Sequence, residues 1–194
     1  MKTVIVIANP KDKSYNHAIV DSIVSGLESK NKEYVIWDLY KMNFNPVLEQ
    51  EEFEQFGYGK ITHPELVDMI NTLSNEAEQI IFVYPLFYFD MPAILKGFFD
   101  RIFIGTLIKD GLSPIDWKPS IDIDKTFIIQ TSLGDNWSLS KSIAKELYDK
   151  MSKSLLDKLG LFNTEVIHFK NILLTTQEQR VEFLDQMKEK FALD

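Results

Sequence analysis

Five short runs, each rich in Val, Ile, Phe or Tyr, recur along this chain with amphipathic stretches between them: Thr3 to Ala8, Tyr34 to Leu39, Gln79 to Tyr84, Thr126 to Thr131 and Thr164 to Phe169. Short, nearly continuous apolar runs belong to strands buried on both faces, and the stretches between them are the helices that cover those faces. The pattern predicts five βα units. Right-handed crossovers between such units make an open, doubly wound parallel sheet, here as a single domain over residues 1–194.

Local signals agree with that reading. Val20, Ile23, Val24 and Leu27 fall at i, i+3, i+4 and i+7, so one face of their helix is apolar and can lie on the sheet. Thr62-His63-Pro64-Glu65 reads as a capping box with proline in the first turn, and Thr175 with Glu178 repeats the Thr-x-x-Glu spacing; both mark helix starts. Leu139, Ile143, Leu147, Met151, Leu155 and Leu159 form a stripe that ends at Gly160, read as a helix C-cap, with Lys141, Lys145, Asp149 and Lys153 on its solvated face. Two long connections interrupt the rhythm, 40–63 and 105–124. Their aromatic residues favour ordered loops beside a site.

Composition narrows the function. A chain of 194 residues with 45% apolar content can build one core, while 26% charged residues and no apolar run near the ~18 residues of a membrane span exclude a disordered or membrane-inserted protein. The formal charge of −8 repels phosphate backbones, so nucleic acid is excluded as a partner. With no cysteine there are no disulfides, thiolate metal sites or cysteine nucleophiles. The first apolar run is too short for a signal-peptide core, which predicts a cytoplasmic protein and leaves the sequon Asn136-Trp137-Ser138 unused. G-x-S-x-G, H-E-x-x-H, the P-loop and G-x-G-x-x-G are all missing from the sequence.

On a doubly wound sheet, ligands bind outside the carboxyl ends of the strands, which fixes three loops to read: 9–16, 85–92 and 132–137. The first runs into a helix and supplies Lys11, Lys13, the Ser14 hydroxyl and the Asn16 amide. It suits a phosphate, or it is a plain N-cap by Ser14 or Asn16 with solvated lysines. In the second loop, Phe87, Tyr88 and Phe89 can stack on or edge a flat ring, or they cap the core. His63 and His168 read as structural; His17, just past the first loop, is the histidine well placed to touch a ligand.

The words DLYKMNFNP (38–46) and YPLFYFDMPAILKGFFDRIFIG (84–105) resemble the NAD(P)H:quinone oxidoreductases, flavoproteins with a flavodoxin-like fold, and looser agreement runs from Val4 to the last helix. The resemblance implies five strands in the order 2-1-3-4-5 with helices on both faces. It implies that Asn9, Ser14, Tyr15 and Asn16 face the flavin phosphate and ribityl chain, Pro85, Leu86, Phe87, Tyr88 and Phe89 its ring, and Thr131, Ser132, Leu133 and Gly134 its pyrimidine side. Arg180 matches an arginine that reaches the adenosine of FAD, which favours FAD over FMN. NADH or NADPH then passes hydride to flavin N5, and a quinone or nitroaromatic takes the same space to receive it, a ping-pong cycle with no metal and no protein nucleophile. The N–H groups of Leu133 and Gly134 are the expected donors to the reduced ring, and Trp137 is either a stacking wall or core.

The chain also departs from the family. Asn9 stands where a histidine is usual, and the family's tyrosine and histidine beyond strand 4 align with Trp137 and Ile143, so acid assistance from those side chains is lost. Segments 47–60 and 106–122, which shape the acceptor pocket, match poorly. The resemblance further implies a homodimer, with Phe53, Phe56, Tyr58, Phe98, Phe99, Phe103 and Trp117 as material for a shared wall. Two other readings are a flavodoxin-type electron carrier, whose first loop usually offers several hydroxyls where this one offers Ser14, and a flavin-binding regulatory subunit of a cation-efflux system.

Overall fold

A computed structural model describes residues 2–58, 63–88, 90–109, 116–134 and 156–193. The five apolar runs are strands β1 (Lys2–Ile7), β2 (Glu33–Asp38), β3 (Ala77–Pro85), β6 (Lys125–Thr131) and β7 (Glu165–Phe169), each within two residues of its expected bounds. They pair in parallel in the order β2-β1-β3-β6-β7, which is 2-1-3-4-5 among the long strands. The extra numbers come from a short antiparallel pair, β4 (Leu107–Lys109) and β5 (Trp117–Pro119), inside the second long connection.

The pleat sorts the central strands into two cores. Val4, Val6, Ile80, Phe82 and Ile128 face one side; Ile5, Ile7, Ile81, Val83 and Ile129 face the other. The second side is covered by α1 (Tyr15–Glu28), through Ile19, Val20, Ile23 and Leu27, and by the last helix, α6 (Gln177–Leu193), through Phe183, Met187 and Phe191. Against the first side lie α3 (Pro64–Asn75) and α4 (Ala93–Phe98), which continues through a π-helical turn, Phe99–Phe103, into α5 (Ile104–Thr106). Burying each such apolar side chain contributes roughly 1.5–3 kcal/mol.

Two helix starts differ from expectation. The N-cap of α3 is His63, which makes no side-chain cap bond, and Thr62 lies outside the described residues; Glu65 is drawn away to Arg101. The capping box of α6 is one residue later than expected, Thr176 with Gln179, whose N–H reaches Thr176 Oγ1 at 3.3 Å while Gln179 Oε1 accepts from Thr176 N–H at 2.9 Å. Gly160 does adopt the left-handed conformation, φ 80°, of a C-cap. The stripe from Leu139 to Leu155 lies outside the described residues.

The two words that carry the family resemblance pack against each other. Arg101, on the π turn, is wholly buried, lies over the Phe44 ring and donates to the Asn45 carbonyl at 2.6 Å. Its remaining donors bond Glu52 of α2 (Gln50–Glu54) twice through Nε and once through Nη2, and Glu65 of α3. Gly97 permits the contact, because a Cβ there would come within 2.2 Å of the Pro46 carbonyl oxygen. Among the described residues no helix is long and apolar enough to cross a membrane.

Candidate functional site

Parallel strands end together, so the loops after β1, β3 and β6 meet at one edge of the sheet. Ile7 lies opposite Val83, and Pro85 opposite Thr131, which brings Asn9, Leu86 and Ser132 to that edge.

Asn16, in the first turn of α1, ties the edge together. It is 3% exposed, and its Oδ1 accepts from Asn9 Nδ2 at 2.9 Å and from Thr131 Oγ1 at 3.1 Å. Its Nδ2 has no partner. A buried donor without an acceptor costs about 1–3 kcal/mol, so this position favours a ligand that brings an acceptor atom. Asn9 Oδ1 accepts the Lys11 N–H at 2.9 Å, closing an Asx turn, and Lys13 takes a left-handed backbone, φ 52°.

Ser14 is the N-cap of α1, and Lys11 and Lys13 are exposed, as the plainer reading of the first loop has it; Asn16 sits inside the helix and is not its cap. Ser14 Oγ accepts the His17 N–H at 3.4 Å and lies 2.8 Å from His17 Nδ1. His17 Nε2 lies 3.0 Å from Asp38 Oδ2, and the Lys41 ammonium is 3.1 Å from the same oxygen. Burial works to raise the Asp38 carboxyl, but hydrogen bonds from the Lys41 N–H, His17 and the Lys41 side chain outweigh it and hold Asp38 below the ordinary carboxylate range. As first-turn residues, Tyr15 and Asn16 have N–H groups with no carbonyl four residues back in the helix.

The Tyr15 side chain turns toward Phe169 and the start of α6. Its ring packs 5.1 Å from that of Phe169, and its hydroxyl donates to the Arg180 carbonyl at 2.7 Å. Burial pushes that hydroxyl up to about 12, against the opposing charge of Arg180. Only the Tyr15 backbone N–H is left to serve the edge. The bond also brings the start of α6 beside that of α1; Arg180 Nε itself donates to the Thr176 carbonyl at 3.2 Å.

In the second loop, Leu86 N–H donates to the Thr131 carbonyl at 2.8 Å, and Phe87 and Asp90 exchange backbone bonds of 2.9 and 3.1 Å around Tyr88, φ 51°. Phe87 is 42% and Tyr88 84% exposed, so these rings do not cap the core. Phe89 lies outside the described residues, as does Trp137. In the third loop, Ser132 Oγ is 3.0 Å from His168 Nε2, Leu133 is 62% exposed, and a Cβ added to Gly134 would meet nothing within 4 Å.

Among the residues named for a shared wall, Phe98 and Phe103 are core and Phe99 packs against it, because the helix bearing them lies flat on the sheet. Phe56 stacks on Trp117 with ring centroids 4.3 Å apart. Phe53 and Tyr58 stand exposed. Sequence reasoning missed Asp38, whose signal is a carboxylate ending a strand beside β1, and Arg101, a lone cation within the apolar run FFDRIF. Among the described residues no three His, Cys, Asp or Glu side chains are grouped as metal ligands.

Residues 1–192 match the family of the flavodoxin-like fold. The chain is 34% identical over 120 residues to NAD(P)H dehydrogenase [quinone] 1 of Rattus norvegicus, covering 53% of this chain and 43% of that one. It is 36% identical over 103 residues to an uncharacterized NAD(P)H oxidoreductase of Haemophilus influenzae, covering 53% of this chain and 50% of that one. These matches thus span about half the length of the curated relatives or less. A solved NAD(P)H:quinone oxidoreductase from Methanothermobacter marburgensis superposes with a TM-score of 0.81 at 25% identity, covering 100% of this chain and 99% of that one.

Proposed function

Because this chain belongs to the flavodoxin-like family, we propose that the edge around Asn16 holds a flavin and that the protein is a flavin-dependent NAD(P)H oxidoreductase acting on a quinone or a similar acceptor such as a nitroaromatic. The observation that carries the reading is the buried Asn16 Nδ2 with no partner, between loops that otherwise bond one another. A flavin is rich in acceptor atoms, so the residues present fit it. Ser14, Asn16, Asn9 and the Tyr15 N–H would hold its phosphate and ribityl end, Pro85 to Tyr88 its ring, and Thr131 to Gly134 its polar edge. The names of the rat and archaeal relatives support the choice of NAD(P)H and quinone.

When bound, the flavin supplies a two-electron carrier that takes hydride from NADH or NADPH and passes it to the acceptor. The chain supplies orientation. Asn16 is rigid because its Oδ1 is bonded from two sides, and the exposed Phe87 and Tyr88 rings offer apolar surface beside the ring position. The N–H groups of Leu133 and Gly134 are donors for negative charge developing there. FAD is the flavin favoured, since the Tyr15 bond sets Arg180 next to the start of α1. Phe53 and Tyr58 support a homodimer, which light scattering would report as twice the mass of one chain; the compartment is the cytoplasm, where NAD(P)H is at hand. The test is to purify the protein, release any bound flavin by heat and identify it by chromatography. FAD is expected; a colourless protein that takes up neither FAD nor FMN contradicts the reading.

A further inference from the structure

His17 lies in a chain of contacts that flavin binding alone does not require: Ser14 Oγ to His17 Nδ1 at 2.8 Å, then His17 Nε2 to Asp38 Oδ2 at 3.0 Å. The two ends fix the proton positions. Asp38 is held as a carboxylate by the Lys41 N–H and ammonium, so it can only accept, and Nε2 must carry a proton. In a neutral imidazole, Nδ1 is then the acceptor, and the single hydroxyl proton of Ser14 points at it. Ser14 Oγ then presents only lone pairs to the space before the helix, the wrong polarity for an anionic oxygen. With the imidazole protonated, the order reverses. Nδ1–H donates to Ser14 Oγ, the His17 N–H occupies the other lone pair, and the hydroxyl proton is free to point outward.

We propose that His17, clamped between Ser14 and Asp38, is a positioning residue that turns the Ser14 hydroxyl toward an anionic phosphate, and that binding the phosphate draws one proton from solvent onto His17 Nδ1. The proposal rests on the flavin reading above. The Asn16 Nδ2 without a partner, two residues from Ser14, independently marks the same helix start as a place for a ligand. The proton balance is complete without other groups: solvent supplies one proton to Nδ1, the Ser14 O–H keeps its proton and turns its hydrogen bond from Nδ1 to a phosphate oxygen, and Nε2 keeps its proton and goes on donating it to the Asp38 carboxylate. The charged groups around the imidazole are Asp38 at the end of β2, Lys41 on the same Asp38 oxygen, exposed Asp21 one turn along α1, exposed Lys11, Asp12 and Lys13 in the preceding loop, and Arg180 of α6 on the Tyr15 side.

The experiment is calorimetric titration of the flavin-free protein with FAD, whose diphosphate has no proton to exchange near neutral pH, in buffers of differing ionisation enthalpy. Riboflavin, which lacks phosphate, is the control. Up to one proton taken up per FAD is expected near pH 8, with affinity rising roughly threefold to tenfold as pH falls from about 8 to about 6, and no uptake with riboflavin. His17→Asn removes the uptake and flattens the pH profile. Asp38→Asn lowers the uptake while keeping an imidazole, so an effect of His17→Asn that came only from poor folding is separated. FAD binding without proton uptake, or with equal uptake in His17→Asn, overturns this proposal and leaves the flavin reading standing. A protein that binds no flavin at any pH overturns both.

Discussion

Arg101 donates from Nη1 to the backbone carbonyl of Asn45 at 2.6 Å, so a guanidinium on the π turn holds the loop after β2 from the inside. The same guanidinium reaches Glu52 and Glu65, which gives α2 and α3 one common anchor. These residues do not line the edge around Asn16. They fix the ground on which the long connection carrying Phe53, Phe56 and Tyr58 stands.

Replacing Arg101 with Leu leaves the Glu52 carboxylate, whose side chain is 9% exposed, without its partner. Breaking a buried pair from one side costs about 3–5 kcal/mol, a loss that urea denaturation would read directly. Replacing Glu52 as well should recover part of that loss. An Arg101→Leu protein as stable as the parent would mean that the pair contributes nothing.

Acid should unfasten the same anchor. Burial works to raise the Glu52 carboxyl, but hydrogen bonds from Arg101 and the Glu49 N–H outweigh it, and the result lies below its ordinary 4.5. A carboxyl lowered in the folded state adds stability that is fully present above its unfolded value and lost as pH falls through the folded one. Stability should therefore drop below about pH 4.5, and less steeply in Glu52→Gln than in the parent. Equal slopes in acid denaturation would remove Glu52 from the account.

Gly57 takes φ 83°, and a Cβ built on it would come within 2.0 Å of the Trp117 ring. Gly57→Ala should therefore cost about 1–3 kcal/mol and push Trp117 off the Phe56 ring, changing tryptophan fluorescence. An unchanged spectrum and melting temperature would contradict the docking of this turn on β5.

The sheet was legible in the sequence because strands buried on both faces are apolar nearly throughout and recur between amphipathic stretches. Loop positions at the edge followed from topology alone. The identity of partners did not: whether Tyr15 faces a ligand or the Arg180 carbonyl depends on where α6 returns, 165 residues later, and local spacing carries no record of it. Arg101 illustrates the same limit. Its three bonded partners besides the Phe44 ring come from three separate segments, so the sequence shows a lone cation and the fold shows a clasp. The capping box of α6 falls one residue later than its spacing suggests because Thr175 with Glu178 and Thr176 with Gln179 satisfy the same rule.

Asn16→Asp keeps the acceptors for Asn9 and Thr131 but replaces the Nδ2 donor with a carboxylate oxygen at the start of α1. Like charge beside a phosphate should abolish tight flavin binding while the melting temperature without flavin changes little. Full flavin occupancy in that variant would remove Asn16 from the site.

Anaerobic mixing of the flavin-loaded protein with NADH or NADPH, followed by a quinone, separates the two halves of the proposed reaction. The visible flavin absorbance should bleach with one equivalent of reduced nicotinamide and return when quinone is added afterward, the two halves proceeding separately as a ping-pong cycle demands. A bound flavin that neither nicotinamide bleaches would contradict it.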